Sequence, residues 1–400
     1  MIFKREILLS ILIFISFSCS AQHGTLKKEN VPPIFPGAYD YENYTKLLKN
    51  KNVAVIANNT AMVGDKHLVD FLLAQDIKIK KIFGPEHGFR GNRPDGAKIS
   101  DTKDDVTGLP IISLYGSHKK PTPEDLQDID IMVYDIQDVG VRFYTYISTM
   151  TYCMEACAEK GIPFIVLDRP NPHGHYVDGP VLDMKYKSFV GMHPVPVVYG
   201  LTPGEYAMMV NGEKWMKDGI QCKLTVVKCK NYTHKTRYQL PINPSPNLQD
   251  MEAVYLYPSI GILEATAVSV GRGTPKPFHY IGHPLYEGGN ISFTPEPIKG
   301  VSEFPPLRGK KCYGYDISAD AKAIKENGGL SLKWIITMYK GLKGKTTFFY
   351  NGFKSSIGNS LVQAQIEQGL SENEIKKYWQ EGISNYKKIR KKYLLYEDFE

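Results

Sequence analysis

The chain has 400 residues, long for one domain and enough for two. An apolar content of 42% is ordinary for a globular protein with a real core. The net charge of +7 is modest, and no recognition motif accompanies the basic, helix-like stretch from Lys376 to Lys392, so no nucleic-acid partner is expected.

In chain order, the N-terminus comes first. MIFKREILLSILIFISFSCSAQ has a basic start, an apolar run and then small residues, so residues 1–21 read as a signal peptide of lipoprotein type. The run is too short for a membrane-spanning helix. Cys19 follows Ser16-Phe17-Ser18, a loose lipobox, and lipidation there competes with ordinary cleavage near Ala21. Either route predicts an exported chain, periplasmic or held at a membrane only through an anchor on Cys19.

Val53–Ala57 reads as a buried strand, 65–75 as a helix and 77–83 as a second strand. A third strand is expected at 110–114, a short helix at 122–128 and a fourth strand at 129–134. A long helix over 141–160 and a fifth strand over 163–167 follow. Thr202-Pro203-Gly204-Glu205 is a capping box with proline at the first helical position, opening a helix to about Lys217. A further strand is expected at 223–227. This alternation predicts an α/β fold with a Rossmann-like, doubly wound and mostly parallel sheet. Beyond Cys19 five cysteines remain, an odd number that argues against a disulfide framework. Cys153 and Cys157 read as buried apolar residues rather than a ligand pair.

Near Tyr238–Asp250 the sequence becomes QLPINPSPNLQD, rich in proline and asparagine, which marks a boundary. It divides a larger domain, 36–237, from a smaller α+β domain, 238–400. A second capping box, Ser371-Glu372-Asn373-Glu374, starts the last helical region.

Five polar loops fall at the predicted carboxyl ends of strands. They are Asn58-Asn59-Thr60, Gly84-Pro85-Glu86-His87, Tyr115-Gly116-Ser117, Asp135-Ile136-Gln137-Asp138 and Asp168-Arg169-Pro170-Asn171. In open parallel sheets those ends share one edge, where ligands bind. The first strand–helix turn, ANNTAMVGDK, lacks the glycine cluster of a dinucleotide site. A Walker-type loop and a nucleophile elbow are also missing. His87, Asp135, His173 and His175 could ligate a metal, but no zinc-type helical pair is present, and the PHGH histidines more readily bond locally. Neither metal nor cofactor is expected.

A carboxylate-rich edge with amides, tyrosines and arginines suits glycoside cleavage, which needs a proton donor at the leaving oxygen and negative charge near an oxocarbenium-like centre. Glu86, flanked by glycines, is the best acid candidate, unless it simply pairs with Arg90. Glu264, in apolar surroundings, either pairs with Arg272 or faces the cleft. Asp135 and Asp168 are rival second carboxylates.

GPEHGFRG, YDIQDVGVRFYTYISTM, LDRPNPHG with VDGPVLD, GMHPVPVVYGLTPGEYA and PSPNLQDMEAVYLYPSIGILEATAVSVGRGT together resemble the exo-β-N-acetylmuramidase family, from about Gly37 to the C-terminus. The resemblance implies removal of terminal, non-reducing β-1,4-linked N-acetylmuramic acid from peptidoglycan fragments. It implies a Rossmann-like catalytic domain, with the smaller domain closing the cleft. The glutamate of the family's PEHG motif is Glu86 here, with Glu264 as its expected partner. Muramic acid carries a lactyl carboxylate, for which Arg142, Arg169 and Arg272 are candidates. Asn58, Gln137 and Asn171 are candidates for the sugar amide and hydroxyls. His87, Arg90, Asp135, Tyr144 and Asp168 complete the expected substrate contacts.

Overall fold

The computed structural model describes residues 32–90 and 102–400. The predicted signal peptide and Cys19 lie outside the described residues. Ile34–Glu400 forms one compact unit. No helix among the described residues is long and apolar enough to cross a membrane.

Among the described residues twelve strands occur in chain order: β1 Val53–Ala57, β2 Met62–Val63, β3 Lys66–His67, β4 Ile79–Gly84, β5 Thr102–Lys103, β6 Pro110–Ser113, β7 Ile131–Asp135, β8 Phe164–Leu167, β9 Leu224–Val227, β10 Tyr280–His283, β11 Ile291–Phe293 and β12 Cys312–Asp316. Seven of them form one sheet in the order β5-β6-β4-β1-β7-β8-β9. All its pairs are parallel except β5 with β6. Leaving out that short edge strand, the order is that of the doubly wound dinucleotide-binding sheet. The chain reverses its direction of travel across the sheet between β1 and β7, where Ala57 sits opposite Asp135.

The strand sequences explain this sheet. VAVIA in β1 and IMVYD in β7 are buried along their whole length, as strands covered on both faces must be. Alternation sorts them between two cores. Ala54, Ile56, Met132, Tyr134 and Phe164 face one core; Val53, Val55, Ile131, Val133 and Ile165 face the other. The first face is covered by helices α3 (Tyr146–Lys160) and α4 (Pro203–Gly212), the second by α1 (Tyr41–Leu48) and α2 (Leu68–Leu73). Cys153 and Cys157 lie free and buried inside the α3 core.

The second half is smaller. An antiparallel sheet, β10-β12-β11, packs with helices α5 (Met251–Ile260), α6 (Asp320–Asn327) and α7 (Lys333–Leu342). A 3₁₀ turn, Gly261–Ala265, continues α5. The last helix, Gln380–Arg390, leads into a tail that returns to the seven-stranded sheet. There the Tyr396 hydroxyl donates to Asp168 at 2.6 Å and the Leu395 amide to Glu205 at 2.8 Å.

Several expected helices change bounds. The one expected over 141–160 starts at Tyr146, because Val141 bridges to Val198 and the Arg142 amide bonds Val197. Residues 122–128 form turns, closed by the Asp125 carboxylate on the Thr122 amide and ended by Asp128 at φ 59°. The helix expected from Asp65 begins at Leu68, since β2 and β3 form a hairpin first. The α4 helix stops at Gly212, where the Tyr393 ring lies so close that a Cβ would be 2.5 Å from it. Both capping boxes are present as read.

Candidate active site

The loop after β4 is a tight turn. His87 at φ 69° and Gly88 at φ 79° are successive left-handed residues, and the Gly88 amide bonds the Pro85 carbonyl at 2.9 Å. The cost of left-handed backbone at His87 is accepted where surrounding structure holds it. This turn aims the half-buried Glu86 into a cavity of about 410 Å³. Its Oε2 accepts from the Thr145 hydroxyl at 3.3 Å. Tyr115, after β6, lines the cavity beside Glu86, and burial with the Glu86 charge pushes that phenol up to about 12. The Tyr146 hydroxyl lies 3.5 Å from the Glu86 carbonyl and 3.4 Å from the Pro244 carbonyl. Arg90 does not pair with Glu86. Its guanidinium grips Asp104 at 2.7 and 2.8 Å and Asp70 at 3.3 Å, which ties the loop down instead.

The opposite wall comes from the second half of the chain. The turn after α5 brings Glu264 to the cavity, and Arg272 follows it. Arg272 Nε contacts Glu264 Oε1 at 2.5 Å. Burial and the nearby Glu86 charge push the Glu264 carboxyl up to about 8, against the pull of that guanidinium. The close contact, and exposures of 31% and 18% for the two side chains, favour the ionised pair. Both alternatives read for Glu264 therefore hold: it pairs with Arg272 and it faces the cavity. Between the two carboxyls run aromatic walls. Phe143 meets Tyr257 edge-on with centroids 5.3 Å apart, Tyr257 meets Phe278 at 5.1 Å, and Tyr144 meets Tyr146 at 4.8 Å. His87 and Tyr144 line the same space, with the Tyr144 hydroxyl donating to the Pro244 carbonyl.

Other residues expected at the site lie outside the cavity lining. Asp135 is fully buried and bound to Arg169 at 2.5 and 2.9 Å, so each neutralises the other in the crevice beyond β7. Asp168 accepts from the Arg169 and Gly204 amides and from the Thr202 and Tyr396 hydroxyls, capping α4 and anchoring the tail. Gln137 spends its amide on the Asp138 and Pro170 carbonyls, and Asn171 on the Leu201 carbonyl and the His173 amide. Asn58 accepts from the Thr60 amide and hydroxyl. Arg142 is only 1% exposed and donates to the Pro180, Val195 and Ser356 carbonyls; burial pulls it down to about 9. These groups build the floor and the loops, bonded within the protein and outside the cavity lining. His173 bonds the Val139 carbonyl, and burial holds it and His175 well below the usual histidine range.

The crevice at the sheet's reversal is filled rather than open. The Gln137 amide donates to Thr60 across it at 2.9 Å, and the Arg169–Asp135 pair lies behind. The cavity is displaced towards β4 and the second half. Sequence reading did not single out Thr145, Tyr146, Tyr257, Phe278 or the 302–306 loop, although Tyr115 stood in one of the five loops.

Residues 53–252 match the family described as Exo-beta-N-acetylmuramidase NamZ, N-terminal, and residues 255–396 match its C-terminal counterpart. The chain is 40% identical over 375 residues to the peptidoglycan beta-N-acetylmuramidase NamZ of Bacillus subtilis strain 168, spanning 88% of this chain and 89% of that one. Two crystal structures of DUF1343 family proteins from Bacteroides fragilis NCTC 9343 share the fold. One superposes with a TM-score of 0.85 at 47% identity, the other with 0.77 at 30%. Each alignment covers 92% of this chain and all of the other.

Proposed function

The chain belongs to the exo-beta-N-acetylmuramidase NamZ family of glycoside hydrolases, and from that premise we propose that it releases terminal, non-reducing β-1,4-linked N-acetylmuramic acid from peptidoglycan fragments, with Glu86 as general acid. The observation that carries the proposal is a carboxyl group bonded by the Thr145 hydroxyl, with the Tyr115 phenol beside it, at the wall of an open, aromatic-lined cavity.

The chemistry follows from that setting. The bond to the leaving sugar breaks when its bridging oxygen receives a proton as positive charge builds on the ring. Thr145 bonds one oxygen of the Glu86 carboxyl, which leaves the other for the leaving-group oxygen. Glu264, ionised beside Arg272, supplies negative charge on the facing wall. Arg272, bonded to Glu264 and lining the cavity, is the guanidinium that meets the lactyl carboxylate. The rings of Tyr257 and Phe278 cover the sugar's apolar faces. Export, with lipidation at Cys19 or cleavage near Ala21, belongs to the same proposal and rests on the N-terminal sequence alone.

Glu86→Gln keeps the shape and the hydrogen bonds but has no acidic proton. Hydrolysis of a chromogenic muramic-acid glycoside should fall by about 10²-fold or more, with an unchanged unfolding midpoint. Turnover near that of the unaltered chain rejects the assignment.

A further inference from the structure

Phe304 is 83% exposed, the most solvent-exposed large apolar side chain among the described residues, yet it lines the cavity that holds Glu86. Single exposed apolar residues are common on protein surfaces. The backbone around this one is what makes it unusual. The Ile298 and Ser302 main chains exchange two hydrogen bonds of 2.9 Å, and the Asn247 side chain holds the Val301 carbonyl at 3.1 Å. Pro305, next to the ring, is buried against Gly273, where a Cβ would sit 2.6 Å from it. Gly273 directly follows Arg272. The loop is thus fastened on both sides of Phe304, to the same segment that forms the cavity wall, and it holds an aromatic ring out in water at the mouth.

We propose that Phe304 is a platform for the sugar on the leaving-group side of the scissile bond. This rests on the glycosidase reading above and deepens it. A cavity of about 410 Å³ is near the small end of ligand pockets, so it holds the one sugar to be released. The next sugar must then lie at the mouth. Inside, Phe143, Tyr257 and Phe278 are all at most 8% exposed, so the ring at the mouth is the one left for that second sugar. The C–H face of a pyranose is apolar and matches an aromatic face, while its hydroxyls stay in water. Glu303, beside the ring and also at the cavity, offers a hydrogen-bond acceptor to those hydroxyls.

Two probes separate the subsites: free N-acetylmuramic acid, which fills only the cavity, and the disaccharide of N-acetylmuramic acid linked to N-acetylglucosamine, which spans both. Binding is measured by calorimetry on the full chain carrying Glu86→Gln, with and without Phe304→Ala. Loss of the ring should weaken the disaccharide about tenfold, equivalent to 1.4 kcal/mol, and change the monosaccharide by less than about twofold. Phe304→Trp should restore the disaccharide. Equal weakening of both probes would mean that the ring shapes the cavity itself and would overturn the platform, as would no change for either. If the unaltered chain neither cleaves the disaccharide nor binds either probe, the glycosidase reading falls first and the platform with it.

Discussion

Glu86 and Glu264 show how neighbours divide the work of two like side chains. Glu86 has a hydroxyl partner, Thr145, and Glu264 a guanidinium. A third carboxyl, Asp138, is fully buried and accepts from the Gly140 amide and the Tyr199 hydroxyl. Burial pushes it up to about 6 from its ordinary 3.8. Between those values the folded chain holds a proton that the unfolded chain has released, so stability falls as pH rises through that window, by about 3 kcal/mol. Asp138→Asn cannot ionise, and its stability should lack that slope. Urea unfolding at about pH 4 and about pH 7 checks this; parallel profiles for the two proteins would exclude it. At this scale the sequence showed which residues were polar and near strand ends. It did not show which would be spent on each other. Asp135 and Arg169 are far apart in the chain, and only folding brings them to 2.5 Å.

Elements aim these residues. The loop after β4 turns because two consecutive positions are left-handed, and glycine at the second removes part of the strain. On the facing wall, the turn after α5 carries Glu264, and its first residue must be small. A Cβ at Gly261 would lie 2.6 Å from the Phe143 ring and 3.0 Å from Tyr257. Gly261→Ala should therefore lower stability by about 1–3 kcal/mol and, by displacing a cavity wall, reduce hydrolysis as well. Denaturant unfolding with kinetics on the same preparation tests both effects; normal values in both would refute the packing argument. Strand identities were legible because β-branched runs bounded by turns have few alternatives. The start of α3 was not. Residues 141–145 have helical neighbours and no breaker after Gly140, and they leave the helix because of bonds to Val197 and Val198, remote in sequence. That displacement puts Phe143, Tyr144 and Thr145 at the cavity.

Across the whole molecule the C-terminal tail closes the edge of the large sheet. Tyr396 supplies one of the donors to the buried Asp168 carboxyl and also accepts from the Cys229 amide. Tyr396→Phe removes both bonds while keeping the ring. The expected loss is about 1.5–3 kcal/mol of stability, because a buried charged acceptor is left short of a donor. Activity at room temperature should persist, since the tail does not reach the cavity lining. A thermal melt that is unchanged would show that Asp168 does not depend on the tail.

Alternating apolar runs, two capping boxes and five polar loops at strand ends determined, from the sequence alone, the parallel sheet, the edge where its polar loops gather and the carboxyl group carried there. Those features are local, and their physics acts over a few residues. Which loops stay open was decided by the tertiary structure. Ion pairs and tail contacts fill the edge over β1, β7 and β8, and the second half of the chain supplies Glu264, Arg272 and the aromatic wall only over β4. Such choices depend on contacts between residues 34 to 228 positions apart, whose partners no short window of sequence contains.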